Sequence, residues 1–208
     1  MMRNTKDRIL KTSLILFNDK GLANVPLRFI AEEMKISVGN LQYHFKKRED
    51  IINALYFQLV EQIDNVMLDN ENQSDNLLKI FVTISKTISE TFFRYRFFLL
   101  DFNMIIREHA IIKTHYAKLT LFREQQFIDF MKRLNDANLI REEILPNEYK
   151  NLFIRFQIIS DFWVSRANIH SNKMSKKVIP EYLEVINQTI FPYLTKKGTA
   201  EYLKITKV

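Results

Sequence analysis

The sequence predicts an all-α protein of about nine helices, and three observations carry that expectation. Only 3 glycines and 4 prolines stand among 208 residues, too few turn formers for most all-β folds. Hydrophobic residues make up 47% and charged residues 26%, a balance that supplies a packed core. Apolar residues recur along the chain at helical rather than alternating spacing.

The first helix is expected from about Asn4 to Lys20, where Ile9, Ser13, Leu16 and Phe17 share one face. Gly21 follows as its stop, since glycine accepts the left-handed conformation that ends many helices. Pro26 suits the first turn of a second, short helix, because its missing N–H needs no partner there. Leu27, Ile30, Ala31 and Met34 give that helix an inner face. After the break at Lys35–Ser37, Ser37 can cap a third helix whose Leu41 and Phe45 face inward. A small residue at a helix crossing (Ala31) with apolar plugs on each side (Ile36, Leu41) is a helix-turn-helix pattern.

Longer helices follow, near 49–69, 75–93 (with Ser74 as cap), 96–108, to about Asn138, 146–170 and 180–194, the last kinked or shortened by Pro192. Two domains are expected: residues 1–48, a helix-turn-helix unit, and residues 49–208, a larger helical unit. The eighth helix carries two apolar stripes, one through Leu152, Phe153, Phe156, Ile159, Ser160 and Trp163, another through Ile154, Ile158, Phe162, Ser165 and Ile169. Burial on both sides follows, either as a central helix of a monomer or as half of a two-fold interface made by the last two helices; the second is favoured. Ile179, Leu183, Ile186, Ile190 and Leu194 on the last helix would cover similar ground.

Composition excludes several functions. There is no cysteine, hence no disulfide, thiolate nucleophile or cysteine metal site. His109 and His115 lie six apart rather than three or four, so no metal site is expected. Neither a Gly-x-Ser-x-Gly nor a Gly-rich phosphate loop occurs, which argues against an enzyme, a catalytic residue or a bound cofactor. The opening stretch carries five charges and no small-residue cleavage site, and no uncharged apolar run approaches 18 residues. A soluble cytoplasmic protein without membrane contact is expected.

The net charge is +7, and it is concentrated: residues 1–50 hold 10 Lys/Arg against 6 Asp/Glu, or +4, in a quarter of the chain. A recognition helix must present short polar groups to base edges while neighbouring groups hold phosphates. Gly39 allows close backbone approach. Val38 can meet a thymine methyl, Asn40 is outward, and the Gln42 amide can pair bidentately with adenine. Tyr43 and His44 would reach phosphates, with Arg28, Lys46 and Lys47 supplying the salt-dependent term.

These N-terminal residues together resemble the TetR (tetracycline-repressor-like) family of bacterial transcription regulators. The resemblance rests on Ile9, Ser13, Leu16, Phe17 and Gly21, on Arg28–Ala31 (RFIA), and on ISVGNLQYHFKKRE from Ile36 to Glu49, about 50 residues. Two positions depart from the family pattern. Val25 and Pro26 stand where a capping, phosphate-binding Thr or Ser is usual, and Gln42 replaces a Tyr. The family further implies a DNA-binding homodimer on a palindromic operator, released when a small-molecule inducer binds among the middle helices. A candidate lining is aromatic with few polar groups: Phe93, Phe98, Phe102, Phe122, Phe127, Phe130, Phe156 and Trp163, with Asn103, Arg123, Gln126 and Asp161 as anchors. A hydrophobic or aromatic ligand and a repressor's role are the expectation. The alternatives are a helical hydrophobe-binding carrier without DNA-binding activity and a regulator controlled by a protein partner.

Overall fold

In the computed structural model, which describes residues 5–71, 76–170 and 174–206, the chain folds into eleven α-helices with a single isolated bridge, Ile140 to Leu194. Helix α1 is Thr5–Lys20, with Ile9, Leu10, Ser13, Leu16 and Phe17 buried. It ends at Gly21, whose φ of +78° is one that side-chain-bearing residues rarely adopt and whose N–H reaches the Phe17 carbonyl at 3.1 Å. Helix α2 is Leu27–Glu33. Pro26 stands one residue before the first turn rather than within it: in extended conformation, it offers its carbonyl to the Phe29 and Ile30 N–H groups.

The turn between α2 and α3, Val38–His44, closes by two backbone bonds, Lys35 N–H to Glu32 and Ile36 N–H to Ala31, both 3.0 Å. This pairing requires a left-handed residue, and Lys35 takes that role at φ +56°. Ser37 then caps α3, its Oγ accepting the Asn40 N–H at 3.1 Å. Ala31 and Leu41 are fully buried at the crossing.

Helix α4, Arg48–Glu71, begins where the Asp50 carboxylate accepts the Lys47 N–H at 2.9 Å. The expected cap Ser74 lies outside the described residues; the Asn76 side chain caps α5, Leu77–Arg94, through the Lys79 N–H. The single helix expected over 96–108 is two, α6 (Arg96–Leu100) and α7 (Phe102–Glu108). They part at Asp101, whose carboxylate is drawn aside to the Leu22 N–H at 3.2 Å. Helix α8 is Ala110–Asp136 and α9 is Glu148–Ile169. The latter opens two residues after Pro146, behind Asn147 at φ +61°.

The C-terminal end differs most from expectation. Helix α10 covers Ile179–Gln188 and stops short of Leu194; Pro192 lies in a 3₁₀ turn, Phe191–Tyr193, and an unanticipated helix α11 follows, Lys196–Thr206. Thr195 caps α11 by accepting the Gly198 N–H at 3.0 Å. Nor does the predicted stripe of the last helix look outward: Ile179, Ile186 and Ile190 are buried within their own chain.

Two hydrophobic clusters make the core. One joins α1–α4 to α6, α7 and the C-terminal half of α9 through Phe17, Leu55, Tyr56, Phe97 and Trp163. The other lies among α5, α8, α9 and α11 through Leu78, Met131, Leu152 and Tyr202. A loop brace fixes the entry to α9: Arg141 binds Glu148 bidentately at 2.8 and 2.9 Å and lies over the Tyr193 ring. With the Ile144 N–H also donating to it, the Glu148 carboxyl is held down to about 2. No helix among the described residues is long and apolar enough to cross a membrane.

Of the three glycines, Gly198 is the one pressed against another backbone segment. A Cβ there would stand 1.9 Å from the Leu139 carbonyl oxygen, so Gly198→Ala should force α11 off the bundle and cost about 1–3 kcal/mol. Urea unfolding measures it; a variant as stable as the parent would contradict this packing.

Candidate nucleic-acid interface and helical cavity

The outward side of α3 is built by two anchors. Leu41 is fully buried and Phe45 nearly so, which fixes the rotation of the helix. Ser37, Val38, Gly39, Asn40, Gln42 and Tyr43 are thereby left exposed, Tyr43 at 85%. His44 is half-buried and meets the Tyr43 ring edge-on at 5.2 Å. Lys46 and Lys47 follow in the exposed link to α4, and Arg28 is exposed on α2. The residues singled out from the sequence thus form a surface of short polar groups and cations, with the Ser37 hydroxyl oxygen committed to the cap. A Cβ at Gly39 would meet nothing nearer than Ser37 Oγ at 4.0 Å, so the fold itself does not demand glycine there.

Among the helices of the larger unit lies a cavity of about 410 Å³, within the size of small-molecule sites, roughly 300–1,000 Å³. It is walled by α4, α5, α8 and α9, with Phe98, Leu99 and Ile186 contributed by α6 and α10. Of the residues expected to line such a site, Phe98, Arg123, Gln126, Phe127, Phe130 and Phe156 do so, as does Asp161. Phe93, Phe102, Asn103, Phe122 and Trp163 do not. Phe93 is packed in the core beneath the Arg96 guanidinium. Phe102 contacts Phe98, Tyr116 and Phe162 from outside. Asn103 and Phe122 are exposed, and Trp163 packs against Tyr182. Sequence reasoning passed over Tyr56, Tyr116, Gln157 and the aliphatic wall of Ile63, Ile84 and Ile88. The spacing of Tyr116, Leu119, Arg123, Gln126 and Phe130 on α8 is the signal that could have found one wall.

Polar groups in the cavity are few and ordered. The Tyr116 hydroxyl donates to both Asp161 oxygens at 2.8 and 2.7 Å, and the Gln157 amide donates to Thr120 at 3.2 Å. Arg123 is held by Asp64 and Gln126. Burial raises the Asp161 carboxyl to about 6, with the Tyr116 donor working against the rise. Because the folded value lies above that of the unfolded chain, the charged form costs stability above about pH 6, and that cost is relieved as pH falls toward 4. Burial and the Asp161 charge push the Tyr116 phenol far up, so it stays a neutral donor. Of the two histidines set six apart in the sequence, His109 is buried, its imidazole lowered by that burial, and the His115 Nδ1 pairs with the Tyr56 hydroxyl at 2.9 Å.

The family described as "Bacterial regulatory proteins, tetR family" matches residues 9–55, and that described as "Bacterial transcriptional repressor" matches residues 58–202. A probable HTH-type transcriptional regulator, YttP of Bacillus subtilis, is 27% identical over 57% of this chain and 60% of its own length. IcaR of Staphylococcus aureus, a negative transcriptional regulator of the biofilm operon icaADBC, is 29% identical over 34% of this chain and 38% of its own. The chain thus spans about two fifths to three fifths of the length of these curated relatives. A TetR-family transcriptional regulator from Marinobacter aquaeolei shares the fold with a TM-score of 0.80, at 24% identity, over 99% of this chain and 98% of that one. The chain belongs to the TetR family of transcriptional regulators.

Proposed function

We propose that this chain is a homodimeric DNA-binding repressor, released from a palindromic operator when a small hydrophobic or aromatic ligand occupies the cavity. Residues 1–48 read the operator; residues 49–208 dimerise and bind the ligand. The observation that carries the reading is the α3 surface, where two buried anchors turn a run of polar and cationic side chains outward. Arg28, Lys46, Lys47, Tyr43 and His44 hold phosphates, and Val38, Gly39, Asn40 and Gln42 meet base edges, with Ser37 at the helix start. IcaR's description as a negative regulator supports repression as the sign.

A partner copy suits the outer face of α9. Ile154, Ile158, Phe162 and Ile169 are exposed there, at 56% for Ile158 and 78% for Ile169, and Val185 on α10 is also exposed. An apolar stripe of this kind on a water-facing helix marks an interface, and a two-fold axis would let it cover itself. Two recognition helices so related would stand about 34–36 Å apart, one turn of DNA.

The cavity reaches α6 through Phe98 and Leu99, and α6 is tied to α1. The Asn18 side chain accepts the Phe97 N–H at 2.9 Å and donates to the Arg94 carbonyl at 2.8 Å; Asp19 pairs with Arg96 at 3.0 Å. A ligand that displaces α6 therefore displaces α1 and the helices it carries.

Gel-shift against DNA flanking the chain's own gene tests the reading, with binding that weakens steeply with salt. In that assay Gln42→Ala should cost about 1–3 kcal/mol and relax preference at one base pair; equal loss on every sequence would contradict a base-reading role. Phe162→Glu should convert the dimer to monomer in analytical ultracentrifugation and abolish operator binding, and a dimer unaffected by it would place the interface elsewhere.

A further inference from the structure

The cavity contains one group that its walls do not account for. Asp161 is 8% exposed, and among the described residues its oxygens are met only by the neutral Tyr116 hydroxyl. Among the described residues no Lys, Arg or His makes an ion pair with it. The other charged groups lining the cavity are committed or face water: Arg123 is held by Asp64 and Gln126, Asp129 is exposed beside Lys132, and Arg133 is exposed over the Phe130 ring. Much of the rest of the cavity lining is apolar, including Leu59, Ile84, Ile88, Phe98 and Phe156. A buried carboxylate in such surroundings is unfavourable unless an opposite charge reaches it.

We propose that the cavity takes a lipophilic cation, an amine or quaternary ammonium head on an apolar body, with Asp161 as its counter-charge. This rests on reading the cavity as the ligand site. Tyr116 and Phe98 line the same cavity, and aromatic rings attract cations through the ring quadrupole. An anionic ligand would meet Asp161 with like charge and find Arg123 already paired. A neutral ligand would seal the carboxylate in without a partner. The raised Asp161 carboxyl fits a site whose counter-ion is not part of the chain.

The test is calorimetric titration of the full chain at pH 7.5 with three probes of one body, decyltrimethylammonium, decan-1-ol and decanoate, each below its self-association range. The parent should bind the cation at least about ten-fold more tightly than the other two. Asp161→Asn, which keeps the shape and the Tyr116 bond, should lose that preference while melting at a higher temperature than the parent. The parent's ranking decides by itself if the variant fails to fold. Equal binding of the three, or preference for decanoate, overturns the cation proposal and leaves the ligand-responsive regulator standing. An Asp161→Asn protein that retains the full preference for the cation also overturns it. Binding of none of the three overturns both the proposal and the reading of the cavity as a ligand site.

Discussion

The contact on which the rest depends is the seat of α1 against the turn between α5 and α6. Phe17 packs on Phe97 with ring centres 5.4 Å apart. Asn18 closes that turn by bonding one residue on each side of it, and Asp101 reaches back to the Leu22 backbone from the break after α6. Arg48 completes the joint from the start of α4, donating to the Leu22 carbonyl at 3.0 Å. These bonds are short-range and directional, and they tie α6 and the start of α4 to the end of α1. The N-terminal helices bury Ile9, Leu16, Phe17, Leu22, Val25, Ile30, Ala31, Leu41 and Phe45 in a core continuous with α4 and α6; this joint adds directional bonds to that packing.

The same joint explains the odd shape of the middle of the chain. A continuous helix over 96–108 would satisfy the backbone by itself. Breaking it at Asp101 leaves α6 a five-residue element, with one end pinned to α1 and its Phe98 and Leu99 in the cavity wall. α6 thus touches the cavity and the joint with α1 at once. The polar cluster of Tyr116, Asp161 and Gln157 lines the same cavity.

What the sequence made legible follows from the range of the forces involved. Gly21, Ser37 and the inward Leu41 and Phe45 act within one or two helical turns, and the first three helices could be placed from them. The break at Asp101 is set by a residue 79 positions away, with no Gly or Pro to announce it. Helix α11 was hidden by Gly198, ordinarily a helix breaker, whose presence answers the Leu139 carbonyl pressed against it. The aromatic content of a cavity was visible, yet nothing local separates Phe98, which lines it, from Phe93 or Phe122, which do not. Asp161 could be named as a polar residue on α9, but its lack of an ion-pair partner among the described residues exists only in three dimensions.

The coupling of cavity to recognition helix through Asn18 is tested most directly by a double-mutant cycle on operator affinity, with Ile88→Trp filling the cavity as a fixed occupant and Asn18→Ala loosening the joint. Ile88→Trp should weaken operator binding about ten-fold or more in the parent and clearly less in the Asn18→Ala background, a coupling of at least about 1 kcal/mol. Strict additivity of the two changes would contradict it.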